Sequence, residues 1–374
     1  MKIQKLIPLF ILMIAGLLLA ACTGGVTATT YPGLTISGDV AYIASAGQVR
    51  AVNLNDGTIP WRFPADKADA TRLYYAAPVV TVDRVYIANY LGEIYALDLS
   101  GKATWNTPFS VSKGRWYSAP ILYNGELYGA NGDNSFYAIK LDGTLDWQIN
   151  AATAQKQLDP TIPWGNFWSS PAIDEATGII YQLSLNHFLY AIDSKQQKVL
   201  WAMDVKAPAI TQPVVQNGFV YFGTLNGDLY KVSTTDRKDV TSRNLGGEIW
   251  AKPTFWNTSF FIGTKTSKTS GKLYMLNISD LSNSATPTDT VSPVTTAGAV
   301  LPDGVVFGTE NGSFYKMSAT GEAFLWPSTI TGAVYTDPVF SGDKLWVAVY
   351  GGTDLLRYFT SSGNLSESFK ISAQ

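Results

Sequence analysis

One short arrangement of residues is written about eight times along this chain, and that recurrence restricts the fold more than any single motif. The clearest copy runs Ala77-Pro78-Val79-Val80, Arg84-Val85-Tyr86-Ile87-Ala88 and Gly92-Glu93-Ile94-Tyr95-Ala96-Leu97-Asp98, then Gly101 and Trp105. The next reads Ala119-Pro120-Ile121-Leu122, Leu127-Tyr128-Gly129, Phe136-Tyr137-Ala138-Ile139, Gly143 and Trp147. Each copy holds four short runs rich in β-branched and aromatic residues, separated by turn residues. A unit of this size cannot bury its own apolar faces, so neighbouring copies must stack.

The register supports the count. Prolines open the runs at Pro78, Pro120, Pro171, Pro213, Pro253 and Pro338, and an aromatic follows eight residues later in five of these six: Tyr86, Tyr128, Tyr221, Phe261 and Trp346. Pro171 needs ten residues to reach Tyr181, because Glu175-Ala176-Thr177-Gly178 lengthens the turn. Two weaker copies fill the gaps, one through Leu34, Tyr42, Val52, Gly57 and Trp61, the other from Ala299 through Phe307, Tyr315 and Gly321 to Trp326. Four strands per copy and a period of 40 to 51 residues between strong copies describe an all-β protein, an eight-bladed β-propeller of four-stranded antiparallel blades. Seven blades remain the alternative, because the sixth copy is interrupted by Lys265 to Gly271 and by a Ser/Thr-rich stretch from Ser279 to Thr296.

Within a copy, the proline run is expected innermost, the tyrosine run second, the Tyr-Ala-Leu-Asp run third, and the Gly-then-Trp segment outermost. Small residues precede several prolines (Ala76 and Ala77, Ser118 and Ala119, Ser169 and Ser170), as crowding near an axis requires. Asn131-Gly132, Asn226-Gly227 and Asn311-Gly312 mark tight turns that accept positive φ. Trp61, Trp105, Trp147, Trp201 and Trp326 are placed to dock between adjacent blades, each burying on the order of 200 Å². The fifth, sixth and eighth copies lack this tryptophan, which predicts looser outer edges there.

The N-terminus carries a separate signal. Lys2 and Lys5 precede an apolar run from Leu6 to Ala21, too short for the roughly 20 residues of a membrane-spanning helix and shaped like a secretory leader. It ends in Leu19-Ala20-Ala21-Cys22, which resembles the lipobox of bacterial lipoproteins, and Cys22 is the sole cysteine of the chain. The resemblance implies a signal peptide over 1–21, lipidation of Cys22, a tether over 22–30 and the propeller over 31–374. The protein would then be extracytoplasmic, held on the outer membrane if the host has one and otherwise on the outer face of the plasma membrane. Two acyl chains give the stable attachment that one does not.

Charge narrows the partners. The formal net charge is −2, and without the two leader lysines 25 basic residues face 29 acidic ones. A mildly acidic chain with no basic stripe is a poor ligand for nucleic acid, whose affinity comes mostly from neutralised phosphates.

The pattern Tyr-Ala-Leu-Asp-x-x-x-Gly-x-x-x-Trp resembles the PQQ-like repeat, also called the quinoprotein or tryptophan-docking repeat, over essentially residues 31–374. That resemblance implies an eight-bladed propeller of the kind found in quinoprotein dehydrogenases and in BamB-like lipoproteins of outer-membrane β-barrel assembly. The dehydrogenases resemble one another in a vicinal cysteine pair, a calcium-binding Glu/Asn/Asp set and an Asp base. This chain has one cysteine and no carboxylate cluster outside the repeat pattern, so no catalytic residue, metal ligand or cofactor is assigned. His187 is the only histidine, and Leu185-Asn186-His187-Phe188-Leu189-Tyr190 aligns with Leu225-Asn226-Gly227-Asp228-Leu229-Tyr230, which puts it at the glycine place of an exposed turn.

One constellation stands apart from the scaffold. Three residues before the repeat prolines lie Tyr75, Tyr117, Trp168, Ile210, Trp250 and Tyr335, and Tyr31 holds the equivalent place in the first copy. Tyr74, Trp116 and Phe167 adjoin this ring, and the long connection 151–167, carrying Trp164, is expected to project from the same face. These aromatics either cap the core or line a concave channel mouth for an extended peptide or a glycan, since rings supply contact area with few rotamers to freeze. The leading functional expectation is a non-enzymatic, membrane-anchored protein-interaction scaffold of the cell envelope. The alternatives are a surface receptor for a glycan or small ligand and, third, a PQQ-dependent dehydrogenase.

Overall fold

The computed structural model describes residues 30–366 and 369–372; Cys22 and the leader lie outside the described residues. The described residues form eight four-stranded antiparallel sheets, and in each sheet the strand order follows the chain. Blade 1 spans 33–63, blade 2 79–110, blade 3 121–149, blade 4 172–204, blade 5 214–244, blade 6 254–290, blade 7 299–325 and blade 8 339–372. The interruptions in the sixth copy are accommodated within its sheet, so the count is eight.

Each sheet is buried on both faces, which is why its middle strands read as nearly continuous apolar runs. In blade 2, Ile94 and Ala96 enter a core shared with Leu127, Tyr137 and Ile139 of blade 3. Leu97, on the other face of the same strand, enters a core with Tyr42, Val49 and Ala51 of blade 1. Every adjacent pair of blades has such a core, and the last of the eight joins Trp346, Leu355, Phe369 and Ile371 of blade 8 to Leu34, Ile43, Val52 and Leu54 of blade 1. The ring therefore closes. It does so without exchanging a strand between its ends, since blade 1 is wholly N-terminal and blade 8 wholly C-terminal. The Thr336 hydroxyl donates to the Pro32 carbonyl across this seam.

The tryptophans lie in two kinds of seat. The Trp61 indole donates to the Leu99 carbonyl at 2.8 Å, and that of Trp105 donates to Leu141 at 2.9 Å, each in the next blade's outer turn. A glycine underlies each ring: a Cβ on Gly101 would stand 2.5 Å from Trp61, one on Gly143 2.8 Å from Trp105, and one on Gly363 2.8 Å from Trp326. Trp147 and Trp201 face blades with no such glycine. Trp147 packs instead among Ile180, Ile192 and Val199, and Trp201 lies against Tyr181 at 6.0 Å. Gly101→Ala should cost about 1–3 kcal/mol, from a positive φ and a clash with a packed ring. Gly125→Ala shares a positive φ of 80° but meets nothing within 4 Å. The difference in thermal stability between the two variants measures the docking contact, and equal effects would mean it is not rigid.

Three expectations need correction. The blades without the tryptophan are not open at their edges. Arg243 of blade 5 donates to the Leu281 carbonyl at 2.7 Å and Lys231 to Ser279 at 2.7 Å. Ala285 of blade 6 fills the space over Gly321, and Phe369 and Ile371 of blade 8 pack on Gly57. A guanidinium or ammonium can bond other carbonyls of the same outer turn, as an indole N–H does, a substitution that a search for tryptophan does not find. In blade 7, Ala299 pairs with Val306, so Phe307 stands one residue beyond the repeat's aromatic place and faces blade 6 instead of blade 8. A one-residue offset in a strand exchanges faces. In blade 3 the positive φ falls on Asn134, at 65°, and not on Gly132.

Candidate functional site

The innermost strands begin around one mouth of the central channel, and the residues just before them line a cavity of about 700 Å³. Tyr31, Tyr75, Tyr117, Trp168, Ile210 and Tyr335 all contribute to its wall. Two of these rings are half exposed, Tyr31 at 49% and Trp168 at 50%, which is unusual for side chains of this size. Gly132 is needed here for its missing side chain: a Cβ would come within 2.9 Å of the Tyr117 ring, which lies across the turn.

The rings touch in sequence. Tyr117 and Trp168 stack at 4.8 Å with planes 17° apart. Tyr90 stands between Tyr75 and Tyr117, at 5.5 and 5.7 Å. Tyr31 packs on Tyr335 at 4.4 Å and on Tyr350 at 5.2 Å. Burial raises the phenol pKa of Tyr75, and the neighbouring hydroxyls of Tyr90, Tyr31 and Tyr350 add to the effect; the two groups line one cavity wall as an arc. The arc runs from blade 8 through blades 1, 2 and 3 to blade 4. Tyr90 and Tyr350 carry no repeat signature. Both sit just past the second strand of their blades, in turns that carry asparagine or glycine elsewhere, so an aromatic in a turn was the available signal.

Trp250, Trp116 and Trp164 are placed differently from expectation. Trp250 is exposed but turned outward, its indole donating to Glu248 at 2.8 Å with the Lys265 ammonium 5.6 Å from the ring. Trp116 is fully buried against Tyr137, and Tyr74 and Phe167 are buried likewise. Alternation explains this: of two successive residues entering a strand, one faces the channel and the other the interblade core. Trp164 is buried too, its indole donating to the Asn134 carbonyl at 3.0 Å. The connection 151–167 does not project over the mouth. Its short helix α1 (Ala151–Gln155) places Ala154 in the core between blades 3 and 4, and the Gln157 side chain accepts from the Val199 amide at 2.8 Å.

Deeper in the channel than the arc, several blades carry polar groups at the place just before the proline. The residue before the proline is small in blades 2, 3 and 4, but is Gln212 in blade 5, Lys252 in blade 6 and Asp337 in blade 8. Lys252 stands 3.4 Å from Asp337 and 3.5 Å from the Gln212 side-chain oxygen, and Asp337 accepts from the Ala297 amide at 2.8 Å. Gln212 and Lys252 also line a second cavity at the other end of the channel, which puts them at its waist. The mouth thus offers rings, with hydrogen-bonding and charged groups at the waist below them. Such a mouth can bind an extended ligand with an apolar and a polar side.

His187 adopts φ 62° in a blade 4 turn, where blade 5 has Gly227 at 86°, and its Nδ1 lies 2.8 Å from Asp204. Partial burial pushes the Asp204 carboxyl up, but hydrogen bonds from Lys206 and His187 outweigh it and hold its pKa down at about 2. Among the described residues no three His, Cys, Asp or Glu side chains converge as metal ligands.

The many buried phenols make a pH prediction. Burial raises the pKa of Tyr74, Tyr181, Tyr190 and Tyr221, the last to about 12. A phenol whose folded pKa lies above its unfolded value of about 10 contributes stability that is complete below pH ~10 and lost as pH rises through the folded value. Alkaline titration should show exposed tyrosines ionising first, with the buried set appearing only as the circular dichroism signal is lost. Simultaneous ionisation of all tyrosines with the fold intact would contradict these environments.

Residues 45–163 match the family model described as outer membrane protein assembly factor BamB. The fold is similar to that of BamB from Moraxella catarrhalis, with a TM-score of 0.66 at 13% identity over 87% of this chain and 93% of that one. It is similar also to quinohemoprotein alcohol dehydrogenase from Comamonas testosteroni, with a TM-score of 0.66 at 15% identity over 93% of this chain and 76% of the enzyme. Among curated proteins, the serine/threonine-protein kinase AfsK of Streptomyces griseus is 36% identical over 88 residues, 23% of this chain. The chain spans about 10% of that kinase's length. Identities this low among the solved structures establish the propeller and nothing finer.

Proposed function

We propose that this protein is a non-enzymatic scaffold of the bacterial cell envelope, lipid-anchored through Cys22, that holds an extended polypeptide segment of a partner across its aromatic channel mouth during assembly of outer-membrane β-barrel proteins. The observation that carries this reading is the exposed arc from Tyr350 to Trp168, set above a waist that carries Gln212, Lys252 and Asp337. Alternating apolar and polar side chains of a β-strand present two such faces. The match of residues 45–163 to the BamB family model, and the similarity of the whole ring to BamB, support the assembly role and the extracytoplasmic location.

The dehydrogenase likeness is one of fold. The residues present do not fit a calcium–quinone site: among the described residues the waist offers one carboxylate, already engaged by Lys252 and the Ala297 amide, and the sole cysteine lies outside the described residues. We derive no redox step.

The test is a titration of the propeller with a fluorescently labelled β-barrel polypeptide, kept unfolded in dilute urea, and with the same barrel folded in detergent. Saturable binding of the unfolded chain alone is expected. Equal binding of both forms, or of neither, overturns the reading. Binding of an oligosaccharide with no binding of polypeptide would transfer the site to a glycan receptor, for which the coplanar Tyr117–Trp168 pair would serve as platform.

A further inference from the structure

We infer that Arg50 and Arg62 form a binding site for a phosphate group, free or esterified, on the flank of blade 1 that faces blade 8. Neither the aromatic mouth nor Cys22 takes part in it. Arg50 lies on the third strand of blade 1, at the place that the repeat gives to tyrosine. Blades 2 to 7 carry Tyr95, Tyr137, Tyr190, Tyr230, Tyr274 and Tyr315 there. All six hydroxyls have partners. Tyr95 donates to Glu93 and Tyr137 to Asp133. In the next four blades the partner is a backbone group of the chain leaving the preceding blade: the carbonyls of Pro163, Val205 and Leu245, and the Val291 amide.

Two blades place arginine at this position, and their guanidinium groups fare differently. Arg357 of blade 8 donates to Asp354 at 2.8 Å and to the Ser366 carbonyl at 2.6 Å. Arg50 is only 7% exposed, yet it has no hydrogen bond and no ion pair among the described residues. A cation taken out of water without a counter-charge is costly, so buried cations are found paired. The other buried cations here obey that rule. Lys231 donates to the Ser279 carbonyl at 2.7 Å, and Lys316 pairs with Asp303 at 2.6 Å. Burial, and after it the charge of Arg62, lowers the Arg50 pKa, but a guanidinium does not shed its proton at neutral pH.

Arg62 adds to the imbalance. It is the cross-strand partner of Arg50 on the outermost strand, so both side chains lie on one face. It is exposed and has no ion pair among the described residues. Like charges set directly opposite destabilise a sheet. The shared face looks toward blade 8, because Ile43 and Val52 beside Arg50 belong to the core with Leu355 and Ile371. Two cations this close call for one dianion. A carboxylate cancels a single charge, whereas a phosphate monoester carries about −1.5 to −2 at neutral pH and offers three oxygens to planar guanidinium forks.

The experiment titrates the full-length protein in detergent, at neutral pH and constant ionic strength, followed by isothermal calorimetry and Tm. The probes are inorganic phosphate, dihexanoyl phosphatidic acid and acetate. Saturable binding of one phosphate per chain is expected, with a rise in Tm. Acetate should bind about tenfold or more weakly. Tighter binding of the phosphatidic acid than of inorganic phosphate would assign the source to a lipid headgroup, and the reverse order to the free ion. Arg62→Met, at an exposed position, should keep the fold and weaken phosphate binding by about tenfold or more. Arg50→Met should remove the binding and the phosphate-dependent rise in Tm. Arg84→Met, at a blade 2 cation already paired with Asp83, is the control and should bind as the parent does. Absence of phosphate binding, equal binding of acetate, or equal losses in Arg84→Met and Arg62→Met overturns the site.

Discussion

Trp116→Ala is expected to destabilise the propeller by about 3–5 kcal/mol, the range for deleting a large aromatic from a packed core. Trp116 has no exposed surface and packs edge-on against Tyr137 at 6.0 Å. Its ring also lies 3.0 Å from where a Cβ on Gly129 would stand, so the surrounding backbone has little room to collapse into the cavity. With unfolding entropy near 2.1 cal/mol/K per residue, a loss of this size lowers Tm by about 4–7 °C for a ring of this length. Trp116→Phe should cost less, because the indole N–H has no hydrogen-bond partner to lose. Trp168→Ala, at a half-exposed ring, should leave Tm nearly unchanged. Calorimetry on the three variants checks this, and a loss at Trp168 comparable to that at Trp116 would return the arc to the core.

The second large effect is on binding. Trp168→Ala combined with Tyr117→Ala should weaken capture of an unfolded barrel polypeptide by at least about tenfold and up to several hundredfold, since buried aromatic anchors carry most of an interface's energy. The two rings stack on each other, so the double variant removes a single platform and its effect will not equal the sum of the single ones. Trp250→Ala is the informative control. Its ring is exposed but engaged with Glu248 and Lys265 outside the cavity, so it should leave polypeptide affinity within about twofold, the usual range for rim contacts. Fluorescence anisotropy on matched variants reads both outcomes. Equal losses for Trp250→Ala and the double variant would mean that the cavity is not the site.

Much of the architecture could be read from the residues because the repeat restates itself. Strand order and blade count follow from prolines, aromatics and glycines at fixed offsets, and one blade's ambiguity is resolved by its neighbours. The arc was legible in part. Tyr31, Tyr75, Tyr117, Trp168 and Tyr335 share a place in the repeat, whereas Tyr90 and Tyr350 occupy turns whose composition is not constrained. Trp116 and Trp164 were assigned to the surface because adjacency in sequence was taken as adjacency in space. Strand alternation sends Trp116 to the opposite side from Tyr117. Trp164 was misread because nothing in 151–167 shows that the connection folds back against the seam between blades 3 and 4. The polar waist is not marked by the repeat: small residues precede the proline in three copies, whereas Gln212, Lys252 and Asp337 hold that place in the fifth, sixth and eighth.

The central claim is that the ring-lined mouth is where a partner chain is held. Its most direct test is a photo-crosslinking amino acid placed at Trp168, and in parallel at Val82 on the far face, in cells whose envelope contains the native protein. Crosslinks from position 168 to precursor outer-membrane β-barrel chains, with none from position 82, are the predicted result. Crosslinks of equal yield from both positions, or from position 82 alone, would contradict the account.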